Sequence, residues 1–171
     1  MGSGYDIKCS SCDYSFSVWE GIGMMYSPHA VFYGRCDDPT QNWSIAFPDG
    51  FCENGEPLLF SLVEDDEIRE KASLLLNNGA EPGGYGHKVY ICPKCMQLEN
   101  RFYFKLHLQS EDYEPDYKCL HCNTSLRCVE LKQHKDGQIE IVDENHRKVN
   151  WLCPKCGNDR LIFGELCMCW D

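Results

Sequence analysis

The chain has 171 residues, a net charge of −11 and thirteen cysteines. That length allows one domain or two small ones. The acidic balance argues against non-specific binding to nucleic-acid phosphates, and no apolar stretch reaches the length of a membrane span.

The charge is unevenly spread. Residues 117–171 hold eight of the sixteen basic residues and eight of the twenty-seven acidic ones, so the whole net charge belongs to residues 1–116. No N-terminal apolar run of signal-peptide type is present, and eight of the thirteen cysteines fall in four C-x-x-C pairs. Both features point to a reducing cytoplasm rather than to a disulfide framework.

In chain order, the first pair is Cys9-Ser-Ser-Cys12. Residues 17–34 are aromatic and punctuated by glycine, and are read as strand or loop. Residues 35–57, rich in Asp, Asn, Pro and Gly, are read as surface turns. Residues 64–78 predict the one clear helix: acids crowd its first turn, Ile68, Ala72, Leu75 and Leu76 form an apolar stripe, and Gly79 stands at the left-handed cap position. Residues 81–86 (Glu-Pro-Gly-Gly-Tyr-Gly) are expected to return flexibly to a strand at 88–91.

Cys92-Pro-Lys-Cys95 follows, then a strand over 101–108 and an acidic stretch at 111–116. Cys119-Leu-His-Cys122 opens the C-terminal part. Strands are predicted at 126–131 and 138–142 around a Lys135-Asp136-Gly137 turn, with a third at 149–152 leading into Cys153-Pro-Lys-Cys156. A last strand at 160–163 and an apolar tail complete the chain.

Two cysteines separated by two residues wrap a tight turn that aims both thiolates at one ion, and two such turns supply the four ligands of a closed tetrahedral site. The predicted ligands are therefore Cys9, Cys12, Cys92, Cys95, Cys119, Cys122, Cys153 and Cys156, holding two ions. The knuckles repeat in the order A, B, A, B: the flanks of Cys9 match those of Cys119, and the flanks of Cys92 match those of Cys153. On this repeat Cys9, Cys12, Cys92 and Cys95 form one site, and Cys119, Cys122, Cys153 and Cys156 the other. The rival grouping joins Cys92, Cys95, Cys119 and Cys122.

Cys153-Pro-Lys-Cys156-Gly157 resembles the knuckle of the zinc-ribbon superfamily with rubredoxin-type C-P-x-C-G turns; Cys92-Pro-Lys-Cys95 resembles it with Met96 in place of the glycine. The resemblance covers the knuckles and their flanking strands. It implies a mostly β, small α+β protein of two tandem zinc ribbons. These comprise a ribbon at 1–110 with a helix-containing insertion at about 17–87, an acidic linker at 111–116 and a C-terminal ribbon at 117–171. Zinc is the expected metal and iron the alternative, since rubredoxins hold iron through similar knuckles.

Cys36, Cys52, Cys128, Cys167 and Cys169 remain as small apolar side chains, with Cys128 assigned to a core face. The six histidines form no open hydrolytic metal site, and no nucleophile elbow, phosphate loop or dinucleotide fingerprint occurs. The reading is thus a non-catalytic zinc protein acting as a protein-interaction or adapter module, with Trp19, Met24, Met25, Tyr26, Phe32 and Tyr33 as interface or core residues. The alternative is RNA binding through Lys132, His134, Lys135, His146, Arg147 and Lys148, with Trp151 for stacking. A thiol-disulfide or iron redox protein is the third reading; it is weakened because all four pairs follow strands instead of opening helices.

Overall fold

The computed structural model describes residues 2–23, 26–34, 56–109 and 111–170. Its elements are β1 (Gly2–Cys9), β2 (Ser15–Gly21), α1 (Pro28–Tyr33), α2 (Leu59–Leu62), α3 (Asp66–Asn77), β3 (Glu81–Ile91), β4 (Leu98–His107), β5 (Asp112–Tyr113), β6 (Arg127–Gln133), β7 (Gln138–Asp143) and β8 (Leu161–Trp170). The strands run in the order β2-β1-β8-β7-β6-β3, and β3 pairs back onto β2 at Gly21 and His87. The result is a closed six-stranded antiparallel barrel, with β4 and β5 continuing the sheet beyond β3.

This corrects the expectation of two tandem ribbons, the first carrying a large helical insertion. The reason lies in two ladders. β1 pairs with β8 from Gly2 opposite Trp170 to Cys9 opposite Leu161, joining the two ends of the described chain. β3 pairs with β6 through Val89–Val129, Tyr90–Cys128 and Ile91–Arg127. Strands assigned to separate ribbons therefore close a single barrel, with β3, β2 and β1 as one half and β8, β7 and β6 as the other.

Among the described residues two compact units are distinguished by their internal packing: residues 2–21, 86–101 and 116–170 in one, and 22–23, 26–34, 56–85, 102–109 and 111–115 in the other. The first contains the barrel core. Ile7, Val18, Val89, Ile91, Val129, Ile139, Ile141 and Leu161 meet there with Leu98, Trp151, Cys9 and Cys153. The period-2 geometry of strands sends Val89 and Ile91, and likewise Ile139 and Ile141, to the same face. Cys128 lies on the face opposite to its neighbour Val129 and is half-buried, so Val129, not Cys128, supplies the barrel core from β6.

In the second unit, Phe32, Tyr85, Phe102, Phe104 and Tyr113 form an aromatic cluster with ring centroids 5.3–6.4 Å apart. Helix α3 matches its predicted span to within two residues. Asp65 caps it by accepting from the Ile68 amide at 3.1 Å, and Ile68 and Ala72 are buried. Helix α1 lies where strand or loop was expected; Ser27 accepts from the Ala30 amide at 3.2 Å, and Gly34 ends the helix at φ 63°. Residues 81–86, expected to be a flexible return, are part of β3. A Cβ at Gly83 would lie 2.6 Å from His107 Nε2, so glycine admits a close approach here instead of marking a loop. Residues 149–152 are not a strand, although the Val149 amide donates to the Ile141 carbonyl at 2.8 Å.

Met24, Met25, Cys36 and Cys52 lie outside the described residues, as does most of the 35–57 stretch. Cys167 and Cys169 fall within β8, which runs unbroken where a short strand and a tail were expected.

Candidate metal centres

Each C-x-x-C pair sits in the turn of a hairpin or at the entry to a strand, and all four turns close in the same way. The amide of the first cysteine donates to the carbonyl five residues on: Cys9 to Tyr14, Cys92 to Gln97, Cys119 to Thr124 and Cys153 to Asn158, at 2.7–2.9 Å. In three of the four the residue after the second cysteine adopts a left-handed conformation: Met96 at φ 59°, Asn123 at 56° and Gly157 at 74°. Its amide returns to the first cysteine's carbonyl at 2.8–3.0 Å. A side chain in this region is strained, and at Gly157 a Cβ would meet nothing within 4 Å. Gly157→Ala is therefore expected to cost about 1 kcal/mol of conformational strain, read from a shift in the urea unfolding midpoint.

The four turns form two groups of four thiols, Cys9 with Cys12, Cys153 and Cys156, and Cys92 with Cys95, Cys119 and Cys122. The eight predicted ligands are thus all brought into clusters, not with the partnership expected from the repeat but with the rival grouping of Cys92, Cys95, Cys119 and Cys122. The barrel ladders decide it. Cys9 pairs with Leu161 on β8, which brings the Cys153 turn against the Cys9 turn, and β3 against β6 does the same for Cys92 and Cys119. Each group still contains one A-type and one B-type knuckle.

The sulfur geometry fits a tetrahedral ion. Cys9 and Cys156 Sγ are 3.6 Å apart, as are Cys12 and Cys153; in the second group the separations are 3.3 Å for Cys92–Cys122, 3.6 Å for Cys95–Cys119 and 3.9 Å for Cys95–Cys122. Four thiolates at zinc's usual bond length stand about 3.8 Å apart, whereas a disulfide needs about 2 Å. Backbone amides point at sulfur: Ser11 at Cys9, Cys95 at Cys92 and His121 at Cys119, at 3.4–3.5 Å.

The thiols compete for ionisation, as crowded like groups must. The Thr124 hydroxyl and amide pull Cys122 down to about 6, whereas burial pushes Cys119 up to about 12, with Cys95 and Glu99 adding to the rise. At Cys153 the Cys156 and Lys155 amides and the thiols of Cys12 and Cys156 more than offset burial, bringing it to about 7. Cys12 rises to about 12, because burial and the thiols of Cys156, Cys153 and Cys9 outweigh the Tyr14 amide. A divalent cation bound by all four sulfurs removes this conflict.

The two clusters are braced differently. At the first, Lys155 reaches Asp13 at 2.6 Å and Ser10 Oγ donates to Asn158 at 3.3 Å, all near solvent. At the second, the buried Glu99 carboxylate accepts from the Leu120 amide at 3.1 Å and from Arg101 at 2.5 Å, and the Arg101 guanidinium lies 5.7 Å from the Tyr117 ring centroid. Sequence reading missed Glu99, which carries no motif. Glu99→Ala leaves Arg101 and the Leu120 amide without this acceptor in a dry setting, and is expected to cost about 3 kcal/mol in urea denaturation.

The residues considered for RNA binding are placed among acids. His134 and Lys148 each lie 3.6 Å from Glu140, His146 lies 3.7 Å from Glu130, and Arg147 lies 2.9 Å from Asp143. Trp151 is buried, and its indole N–H donates to the Met96 carbonyl at 3.0 Å. Of the aromatic residues weighed as interface or core, Phe32 is buried at 2% exposure, whereas Trp19 and Tyr33 are exposed.

No family model, no curated protein and no solved structure matches this chain. Among the described residues, no helix is long and apolar enough to cross a membrane.

Proposed function

We propose that this is a non-catalytic zinc protein whose two four-cysteine centres are structural, and that it acts as an interaction or adapter module for a protein partner. The observation that carries the reading is the pair of closed thiol clusters, in each of which all four sulfurs lie within 4.8 Å of one another. Four thiolates leave no open coordination position for a substrate or water, which is the mark of a structural rather than a hydrolytic site.

Zinc is favoured over iron because one knuckle alone carries both the Pro and the Gly of the rubredoxin form. The adapter role is supported by Leu120, 75% exposed at the tip of one metal turn, and by Leu152, 49% exposed beside another. The ion pairing of the C-terminal cations and the burial of Trp151 weigh against the RNA alternative.

Elemental mass spectrometry of the untreated protein, with a thiol count, tests the metal reading. Two zinc ions per chain are expected; thirteen cysteines less the eight ligands leaves five that react before chelation. Iron in place of zinc, or oxidised pairs without metal, would overturn it. Photo-crosslinking from position 120 in cells tests the adapter role: a discrete protein adduct is expected, and a pattern no different from that at exposed Lys135 would count against it.

A further inference from the structure

We propose, resting on the zinc reading above, that the two centres are chemically unequal: the Cys9, Cys12, Cys153, Cys156 centre releases its ion to hydroperoxides through oxidation at Cys156, while the Cys92, Cys95, Cys119, Cys122 centre retains its ion. Three observations converge. Cys156 is the one exposed ligand of the eight; every other ligand is buried or half-buried. Its chain neighbour Lys155 brings an ammonium group to this centre, acting on the Cys12 and Cys153 thiols and joined to Asp13 of the facing knuckle at 2.6 Å. Reactive thiolates are those that combine solvent access with a nearby cation.

The third observation is a resolving thiol. Cys9 Sγ stands 3.6 Å from Cys156 Sγ, on the other knuckle of the same centre. The Cys156 thiolate attacks the terminal oxygen of the peroxide and forms an S–O bond as the O–O bond breaks; the departing oxygen takes a proton from water, leaving Cys156 as a sulfenic acid. The Cys9 thiolate then attacks the Cys156 sulfur, forms the S–S bond and expels hydroxide. The two thiolates lose the two electrons that the O–O bond gains, and zinc, stripped of two of its four ligands, leaves.

The second centre lacks this entry. Each centre has two buried thiols, but Cys95 and Cys122 are half-buried where the first centre has exposed Cys156, and the turn carrying Cys119 is held by the Glu99 carboxylate on the Leu120 amide. Opening it requires breaking the hydrogen bond from the Leu120 amide to a buried carboxylate as well as a metal–sulfur bond. The bonds that fasten the first centre, Lys155–Asp13 and Ser10–Asn158, lie near water and resist opening far less.

The test uses the full zinc-loaded chain, with its two ions verified by elemental analysis, treated with a small excess of hydrogen peroxide while a metallochromic chelator reports free zinc. One equivalent of zinc is expected to leave in a fast phase and the second at least about tenfold more slowly. Peptide mapping at the end of the fast phase is expected to show a Cys9–Cys156 disulfide. Glu99→Gln, which weakens only the second brace, is expected to accelerate the slow phase and leave the fast one unchanged. Because a Cys156→Ser chain can fail to fold, pulse alkylation of the unaltered protein supplies a second readout, with Cys156 the first of the eight ligands to be labelled. Release of both ions in a single phase, or a disulfide within the 92–122 centre, overturns the inference while leaving the zinc reading intact. A chain that purifies without metal overturns both.

Discussion

On the zinc reading proposed above, a strong chelator, or replacement of buried Cys92 by serine, is expected to abolish the cooperative melt of this protein. The expected size follows from scale. A structural four-thiolate zinc site binds with an apparent free energy of about 10–16 kcal/mol, whereas a domain's net stability is about 5–15 kcal/mol. Even a loss of about 5 kcal/mol lowers the melting temperature of a chain this long by about 10–20 °C.

Cys92 is fully buried, and Cys9, Cys119 and Cys153 are at most 5% exposed, so the first cysteine of each of the four turns lies against the hydrophobic interior. Without the cation, thiols crowded at 3.3–3.9 Å cannot all ionise, and the turns lose the charge that holds them face to face. Circular dichroism melts with and without chelator, compared with the Cys92→Ser chain, decide the matter. A melting temperature within a few degrees of the untreated protein in both cases would show that the barrel stands without its metals.

What the sequence disclosed and what it hid divide along the distance between interacting residues. The metal turns were legible because a C-x-x-C turn is specified by six consecutive residues, whose amides and thiols fix the geometry locally. Helix α3 was legible for the same reason: Asp65 as cap and Gly79 as terminator sit beside the residues they act on. Helix α1 also carried local signals, Ser27 before Pro28 and Gly34 at the end, but its six residues span too little apolar periodicity to declare it.

The sequence offers the observed partnership only as the rival of the repeat-based one, because the register that decides between them joins Cys9 to Leu161 across almost the whole chain. Internal similarity showed that an A-type turn meets a B-type turn. It did not show which, since the A, B, A, B order is compatible with neighbouring ribbons and with a barrel in which the outer turns meet each other. Glu99 escaped detection on related grounds: a glutamate two residues before an arginine in a strand looks like surface until the Leu120 amide is placed above it.

Trp151→Ala is expected to be the most damaging substitution outside the metal ligands, costing about 4 kcal/mol, whereas Trp151→Phe costs about 1–2 kcal/mol. The indole is 4% exposed and belongs to the barrel core. Its ring lies 5.9 Å from that of Tyr14, the residue whose carbonyl closes the Cys9 turn. Its N–H donates to the carbonyl of Met96, the left-handed residue that follows Cys95. Two residues later the chain enters the turn at Cys153. One side chain therefore touches residues of a turn from each centre and leads directly into a third turn.

Alanine removes the packing and the hydrogen bond together; phenylalanine keeps most of the packing and leaves the Met96 carbonyl without its donor. Urea denaturation of the zinc-loaded chains measures both losses, and a cost below about 1 kcal/mol for Trp151→Ala would sink the argument. Chelator competition adds a readout that a merely space-filling residue would not move. A ligand substitution weakens one zinc site, but Trp151→Ala is expected to weaken both, because the turn at Tyr14 serves one centre and the turn at Met96 the other.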